Sequence, residues 1–220
     1  MSQPHPLHAV IVANGEFAYS DRLLRVVSRA DLVIAADGGA NWLMDHHRLP
    51  DLLVGDMDSV RPETVAALRP DQRIHHPSHK DETDTELALI EAVARGATRI
   101  TLIGVRGGRA DHELANLLLL SLPALQGIDV SIYDGLSYLS LIRDERRLQG
   151  AAGDTVSLIP LGGNAEGITT EGLEYPLRDE TLHVGPARGV SNVMLSDTAR
   201  VTLRRGLLLL VHTPQNPREE

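Results

Sequence analysis

The sequence predicts an N-terminal α/β domain, a doubly wound and mostly parallel sheet with helices on both faces, followed by a C-terminal all-β sandwich. Up to about residue 128, short apolar runs alternate with segments whose apolar residues recur at helical spacing, which is typical of βαβ units. After that point the segments are short and strand-like, with glycine-rich turns between them, which favours a sandwich. We place the domain boundary between residues 140 and 141, so that the domains are 1–140 and 141–220.

The elements of the first domain follow from apolar spacing and from helix-start signals. Pro62 suits a first helical turn, and Thr83 with Glu86 has the spacing of a capping box. The predicted strands are residues 8–14, 32–36, 51–54 and 99–105. The predicted helices are residues 21–30, 40–46, 62–68, 83–96 and 113–122.

The later part of the chain predicts short strands separated by turn residues such as Gly185-Pro186. These strands are residues 130–133, 138–142, 155–159, 181–184 and 199–203. Residues 214–220 are expected to form a frayed tail.

Composition excludes several classes of function. The formal net charge of −9 argues against a protein that holds a nucleic-acid backbone through a basic face. Aromatic residues make up 3% of the chain, which leaves few platforms for stacked bases. No apolar run approaches the ~20 residues that span a bilayer, and the lack of cysteine fits a cytoplasmic protein. We therefore expect a cytoplasmic protein that acts on small molecules, with neither nucleic-acid nor membrane partners.

Four polar motifs lie where predicted strands of the first domain end. They are the Asp-Gly-Gly of residues 37–39, the Gly-Asp-Met-Asp of 55–58, the acidic run 80–84 that begins with lysine, and the Gly-Gly-Arg-Ala-Asp of 107–111. Ligands of open α/β sheets bind outside the carboxyl ends of the strands. Each motif alone is a common loop sequence, but four along one edge predict a ligand site.

Asp56 and Asp58 are the strongest candidates for a metal site. Two residues apart in extended chain, their side chains share one face, and two ionised carboxylates that close repel each other. A hard divalent cation with oxygen ligands removes the conflict, and Mg²⁺ bound with substrate phosphates is its usual form. The alternative is that either aspartate forms a turn or caps a helix. Asp84 has the same two interpretations, metal ligand or helix cap.

Lys80 is the only lysine among 21 basic residues, and it lies beside carboxylates. An ammonium is a compact point charge, whereas a guanidinium is a planar fork, so lysine at this position suits a phosphate beside a metal ion. Codon bias toward arginine is the alternative.

Arg109 and Asp111 flank a glycine-rich turn that precedes a helix, where backbone N–H groups favour an anion. The turn matches neither a dinucleotide-binding fingerprint nor a P-loop. An exposed Arg–Asp pair is an equal alternative for these two residues, and His112 next to them is a candidate phosphate contact.

These motifs resemble those of the thiamine pyrophosphokinase family. The matching segments of the first domain are residues 37–41, 55–59, 80–84, 86–89 and 108–112, and those of the second domain are 172–177 and 189–192. The resemblance spans from about residue 13 to residue 211. One departure is Val193, which stands where the family usually has glutamate after its serine–asparagine pair.

The resemblance implies a nucleotide-binding catalytic domain at 1–140 and a thiamine-binding β-sandwich at 141–220, with thiamine bound across a homodimer interface. In such an enzyme the thiamine hydroxyl attacks the β-phosphorus of ATP, which gives thiamine diphosphate and AMP. Two alternatives are the same transfer to another alcohol, such as a hydroxymethylpterin, and a phosphohydrolase with Asp56 as nucleophile.

The resemblance also implies roles for individual residues. Mg²⁺ would be held by Asp56, Asp58 and Asp84, while Lys80 and Arg109 would neutralise charge on the transferred group and on AMP. Asp81 or Asp111 would orient the thiamine hydroxyl or accept its proton. The implied nucleotide contacts are Asp37, Gly38, Gly39, Asn41, Thr83, Gly108 and His112. The implied thiamine contacts are Tyr175, Ser191 and Asn192.

Overall fold

A computed structural model describes residues 6–216 of the chain. The chain divides into two compact units, Met1–Gly135 and Leu136–Glu220. This division falls a few residues before the boundary we placed from the sequence. Residues 217–220 of the expected frayed tail lie outside the described part. Within residues 6–216, no helix has the length and the apolar character to cross a membrane.

The first unit contains six parallel strands, in the order β6-β5-β1-β2-β3-β4. They are β1 (Leu7–Val12), β2 (Leu32–Ala36), β3 (Leu52–Gly55), β4 (Arg73–His75), β5 (Ala97–Ile103) and β6 (Asp129–Tyr133). Their central side chains, such as Ile11, Ile34 and Ile100, are fully buried, as expected for strands covered on both faces. The sequence missed only β4, because this three-residue edge strand has two half-buried residues and one exposed residue, and its single apolar residue, Ile74, makes no pattern.

Five helices connect these strands: α1 (Ser20–Ser28), α2 (Gly39–Asp45), α3 (Pro62–Ala67), α4 (Asp84–Ala94) and α5 (Ala110–Leu119). Thr83 caps α4, since its Oγ1 accepts the Glu86 N–H at 3.2 Å. Helix α5 begins three residues before the predicted start, and Asp111 and Glu113 lie in its first turn, where carboxylates favour a helix N-terminus. The predicted α/β class of this unit is confirmed.

The strand order creates a switch point at the carboxyl ends of β1 and β5. The chain runs outward from β1 to β4 on one side and then returns to place β5 on the other side. Ligands of open α/β sheets bind at such a point. In this chain the loops after β1 and β5 are also joined to each other, because the Gly15 N–H donates to the Gly104 carbonyl at 2.6 Å and the Glu16 N–H donates to the Arg106 carbonyl at 2.8 Å. The polar motifs predicted from the sequence lie in the loops at this edge.

The second unit consists of two four-stranded antiparallel sheets, ordered β12-β9-β14-β7 and β11-β10-β13-β8. The strands are β7 (Tyr138–Ile142), β8 (Glu145–Gln149), β9 (Thr155–Pro160), β10 (Ala165–Glu171), β11 (Arg178–Leu182), β12 (Asn192–Val193), β13 (Thr198–Thr202) and β14 (Leu208–Thr213). Buried side chains of both sheets, among them Leu158, Leu210, Ile168 and Val201, form one apolar cluster. The predicted β-sandwich is confirmed.

Several sandwich strands carry weak local signals and were not predicted. Strand β8 has one apolar residue, Leu148, and is defined by its pairing with β13. Strand β10 is interrupted by Gly167, whose φ of 68° accompanies a shift in register against β11. Strand β14 is a continuous apolar run, which periodicity does not assign to strand or helix.

Candidate active site

Three carboxylates meet at the carboxyl edge of the parallel sheet. Asp37 follows β2, and Asp56 and Asp58 follow β3, a neighbouring strand. Each offers a carboxylate oxygen, and the three oxygens lie within 4.8 Å of one another. We call these three residues the acidic cluster. Asp56 and Asp58 are two of the metal ligands implied from the sequence, whereas Asp37 was assigned there to the nucleotide.

The Asp37 carboxylate is held by one oxygen and free at the other. Its backbone has a φ of 46°, in the left-handed region, which turns the chain directly after β2. Oδ2 accepts a hydrogen bond from the Ser59 hydroxyl. Oδ1 is buried, and no partner within residues 6–216 bonds it. Burial raises the pKa of Asp37, and the negative charges of Asp84 and Asp58 raise it further.

Asp56 has the opposite electrostatic environment. The pKa of its carboxyl is lowered, first by the hydrogen bond from the Asp58 N–H, then by the Ser78 hydroxyl, with a smaller effect of Lys80. The Asp58 nitrogen lies 3.2 Å from Asp56 Oδ1. Asp56 is therefore ionised at neutral pH.

The acidic cluster fits a hard divalent cation. An ionised carboxylate lies beside one whose buried oxygen has no partner, and a buried acceptor left unpaired costs about 1–3 kcal/mol. Oxygen ligands from carboxylates are those that Mg²⁺ binds in proteins. The residues present therefore suit Mg²⁺ at this position.

Lys80 and Asp84 form a close ion pair beside the acidic cluster. Lys80 Nζ lies 2.5 Å from Asp84 Oδ1, and their side chains are 13% and 26% exposed. Gly55 makes room for this arrangement, because a Cβ there would lie 3.0 Å from Asp84 Oδ1 and 3.2 Å from Asp37 Cβ. The implied metal ligand Asp84 is thus placed near Asp37 and shared with Lys80. Asp81 is exposed next to the pair.

Ser59 and Asn14, which the sequence did not single out as site residues, support the acidic cluster together with Asn41, an implied nucleotide contact. Ser59, in the loop after β3, bonds Asp37, and Asn14, after β1, donates to Ser59 Oγ at 3.4 Å. Asn41 donates to the Ser59 carbonyl at 2.9 Å. Asn14 and Ser59 lie in the loops that follow β1 and β3, and this position is the signal that could have marked them.

The glycines of the Asp-Gly-Gly motif serve close packing. A Cβ on Gly39 would lie 2.0 Å from the Val12 carbonyl oxygen, so glycine lets α2 approach β1. A Cβ on Gly38 would collide with the Asn14 and Ser59 side chains. These contacts set the position of the Asp37 loop.

The glycine-rich loop after β5 is closed by carboxylates. Gly107 and Gly108 have φ of 82° and 74°. The Gly108 N–H donates to Glu16 Oε1, and the Gly107 N–H donates to Glu113 Oε2, both at 3.2 Å. Arg106 binds the other oxygen of Glu113 at 3.0 Å.

Arg109 and Asp111 bind each other at the start of α5. The guanidinium lies 2.6 and 3.1 Å from the two carboxylate oxygens, and the side chains are 72% and 64% exposed. The hydrogen bonds from Arg109 lower the pKa of Asp111 to about 2. His112 is exposed next to them, and its backbone N–H donates to Asp111 Oδ1 at 3.0 Å. The exposed-pair interpretation of Arg109 and Asp111 thus describes the arrangement in this structure.

In the sandwich unit, Asn192 holds the backbone of Tyr175. Its Nδ2 donates to the Tyr175 carbonyl at 2.7 Å, and its Oδ1 accepts the Tyr175 N–H at 3.0 Å. Asn192 is 9% exposed, whereas Tyr175 is 64% exposed. Ser191 is exposed in a left-handed turn with a φ of 60°. The side chains of Tyr175 and Ser191 are thus accessible to a ligand, and Asn192 holds the backbone of Tyr175 in position.

Replacement of Asn192 by alanine is expected to lower the free energy of unfolding by about 1–3 kcal/mol, because two part-buried backbone groups of Tyr175 lose their partner. The KM for thiamine, the ligand that the family resemblance implies for this unit, should rise while the KM for the implied nucleotide ATP stays constant, as measured by steady-state kinetics and thermal unfolding. Asn164→Ala is the matched control, since this asparagine accepts the exposed Val184 N–H. An unchanged KM for thiamine in Asn192→Ala would limit Asn192 to a role in folding.

A parallel α/β sheet with an acidic cluster and an ammonium at its carboxyl edge, joined in one chain to a β-sandwich, suits a kinase-type transferase. Residues 23–132 match the thiamin pyrophosphokinase catalytic domain, and residues 140–208 match the thiamin pyrophosphokinase vitamin B1 binding domain. The chain belongs to the thiamin pyrophosphokinase family, and its activity is thiamine pyrophosphokinase activity.

Relatives match over nearly the full length. The chain is 25% identical to a thiamine pyrophosphokinase of Bacillus subtilis, over 92% of this chain and 97% of that protein. It is 29% identical to thiamine pyrophosphokinase 1 of Oryza sativa, over 91% of this chain and 88% of that protein.

Solved structures share the fold. The thiamine pyrophosphokinase of Bacillus subtilis superposes with a TM-score of 0.84 at 24% identity, covering 95% of this chain and all of that one. The yeast thiamin pyrophosphokinase gives 0.81 at 16% identity, covering 96% of this chain and 87% of that one.

Proposed function

We propose that the chain transfers a pyrophosphoryl group from MgATP to the hydroxyl of thiamine, giving thiamine diphosphate and AMP. The hydroxyl oxygen bonds to the β-phosphorus, the bond from that phosphorus to the α–β bridging oxygen breaks, and the bridging oxygen leaves with AMP. The observation that carries the proposal is the acidic cluster, in which Asp37 Oδ1 has no partner within residues 6–216, next to the Lys80–Asp84 pair.

The acidic cluster would hold Mg²⁺, with Asp84 as a further ligand. Bound Mg²⁺ supplies charge neutralisation at the phosphate oxygens. Lys80 would add a point charge to the transferred group, since its ammonium is already fixed against Asp84. Transfer of this kind depends on positioning and on charge neutralisation more than on covalent chemistry.

Arg109 would act on the phosphates or on leaving AMP after exchanging Asp111 for a phosphate oxygen. Both side chains are exposed, so the exchange needs no repacking. The low pKa of Asp111 depends on its hydrogen bonds from Arg109, so it does not apply once Arg109 has left. Asp81 or Asp111 would therefore orient the thiamine hydroxyl or accept its proton. Thr83, Gly108 and His112 line the loops assigned to the nucleotide.

We propose that residues 1–140 bind the nucleotide and that residues 141–220 bind thiamine, with Tyr175 and Ser191 as its contacts. The match of residues 140–208 to a vitamin B1 binding domain supports thiamine over a hydroxymethylpterin. A homodimer with the site at the subunit interface is part of this proposal. Exposed apolar side chains of the sandwich unit, such as Leu195 and Val184, support a surface that a second copy covers.

Incubation with MgATP and thiamine is expected to release AMP in a one-to-one ratio with thiamine diphosphate, measured by chromatography. Reactions without thiamine, with a hydroxymethylpterin in its place, or with a chelator should release none. Release of ADP, or AMP formation that does not depend on thiamine, would reject the proposed transfer. Turnover with the pterin alone would instead select the other alcohol.

A further inference from the structure

Ser59 connects the two strand ends that build the acidic cluster. It follows Asp58 in the loop after β3, and its hydroxyl donates to Asp37 Oδ2 beyond β2. The same carboxylate keeps Oδ1 buried and without a partner among residues 6–216. One oxygen of Asp37 is therefore fixed by Ser59, and the other is left available.

Ser59 is itself held on two sides. Asn14, in the loop after β1, donates to Ser59 Oγ at 3.4 Å, and Asn41 of α2 donates to the Ser59 carbonyl at 2.9 Å. Asn41 is fixed in turn, because its Oδ1 accepts the Arg61 N–H at 3.0 Å. Two separate segments, the loop after β1 and residues 37–41, thus converge on one exposed serine.

Gly38 provides the space for this convergence. Its backbone angles, φ −57° and ψ −13°, are open to any residue, so the backbone does not require glycine. A Cβ at this position would lie 2.4 Å from Asn14 Nδ2 and 2.6 Å from Ser59 Oγ. Any side chain here would displace Ser59, which bonds Asp37, and Asn14, which bonds Ser59.

We infer that Ser59 is a positioning residue of the cation site, which holds Asp37 by Oδ2 and leaves Oδ1 for a divalent cation. The inference rests on the proposed function, in which the acidic cluster binds Mg²⁺. Groups that orient metal ligands contribute strongly to metal affinity. A serine that only stabilised its loop would affect folding and leave cation affinity unchanged.

The test uses Mn²⁺ as the probe and measures its binding to the nucleotide-free full chain by electron paramagnetic resonance. Ser59→Ala should weaken Mn²⁺ binding by about tenfold, whereas Ser59→Thr, which keeps the hydroxyl, should bind nearly as the unchanged chain does. Gly38→Ala should weaken binding in the same direction, because its Cβ displaces Ser59. The matched control is Ser28→Ala, which removes a hydroxyl that donates to the Arg25 carbonyl within α1.

Kinetics give the second readout. The KM for Mg²⁺ should rise in Ser59→Ala with a smaller change in kcat, since the reacting groups are kept. If Ser59→Ala fails to fold, Gly38→Ala tests the inference instead. Its added Cβ lies closest to side-chain atoms of Asn14 and Ser59 that can move, so we expect this variant to fold.

Unchanged Mn²⁺ affinity in Ser59→Ala and Gly38→Ala would overturn the inference. Loss of affinity in Ser28→Ala as well would also overturn it, since the effect would then not belong to Ser59. Absence of Mn²⁺ binding to the unchanged chain would reject the inference together with the cation site, while thiamine-dependent AMP formation would still decide the transfer itself.

Discussion

Asp56→Asn is expected to lower thiamine-dependent AMP formation by about a thousandfold or more, equivalent to ~4 kcal/mol of transition-state stabilisation. Hydrogen bonds from the Asp58 N–H and Ser78 lower the pKa of Asp56, so its carboxylate carries a full charge at neutral pH. Asparagine keeps the shape and removes that charge. The cluster would then lose one negative charge and, with it, much of its affinity for a cation.

The loss should come without unfolding. Asp56 is partly exposed, and removal of one charge relieves repulsion among neighbouring carboxylates. The temperature of unfolding should therefore stay the same or rise, as measured by circular dichroism. Asp71→Asn is the matched control, an exposed aspartate bonded to Arg69 on the surface, and it should keep normal turnover. Near-normal rates in Asp56→Asn would show that the acidic cluster is not the reaction site.

The fold class was predictable because its signals are local. Buried parallel strands such as β1 and β2 are short apolar runs, and turn-forming residues follow them: Gly15 comes after β1 and Asp37 comes after β2. Asp56 and Asp58 were recognised together because they share one loop. The same local information failed at β8, whose charged residues become a strand only through the pairing with β13.

The composition of the acidic cluster was only partly predictable. Asp37 joins Asp56 and Asp58 because β2 and β3 are neighbours in the sheet, a relation that no spacing in the sequence states. The Ser59–Asn14 contact likewise joins loops that are 45 residues apart. Asp84 was predicted as a metal ligand, and its close pairing with Lys80 depends on the path of the loop before α4. Tertiary neighbours, not local patterns, decide such details.

Lys80→Arg should lower turnover by about 10- to 100-fold although the charge is kept. Lys80 Nζ lies 2.5 Å from Asp84 Oδ1, and its side chain is only 13% exposed. Gly55 lies against Asp84 with no room for added atoms, since even a Cβ would come within 3.0 Å. A planar guanidinium is wider than an ammonium, so it would move Asp84 or point away from the phosphates.

Measurement of kcat, of the KM for ATP and of thermal unfolding separates a catalytic effect from a structural one. Arg95→Lys is the matched reverse exchange, because Arg95 pairs with Glu91 at the exposed end of α4 and should tolerate lysine. Lys80→Ala should lose about 100- to 1,000-fold, as for a removed charge donor at a reaction centre. Normal turnover in Lys80→Arg with loss in Lys80→Ala would show that charge alone is required. The single lysine among 21 basic residues would then reflect codon usage and not the geometry of the site.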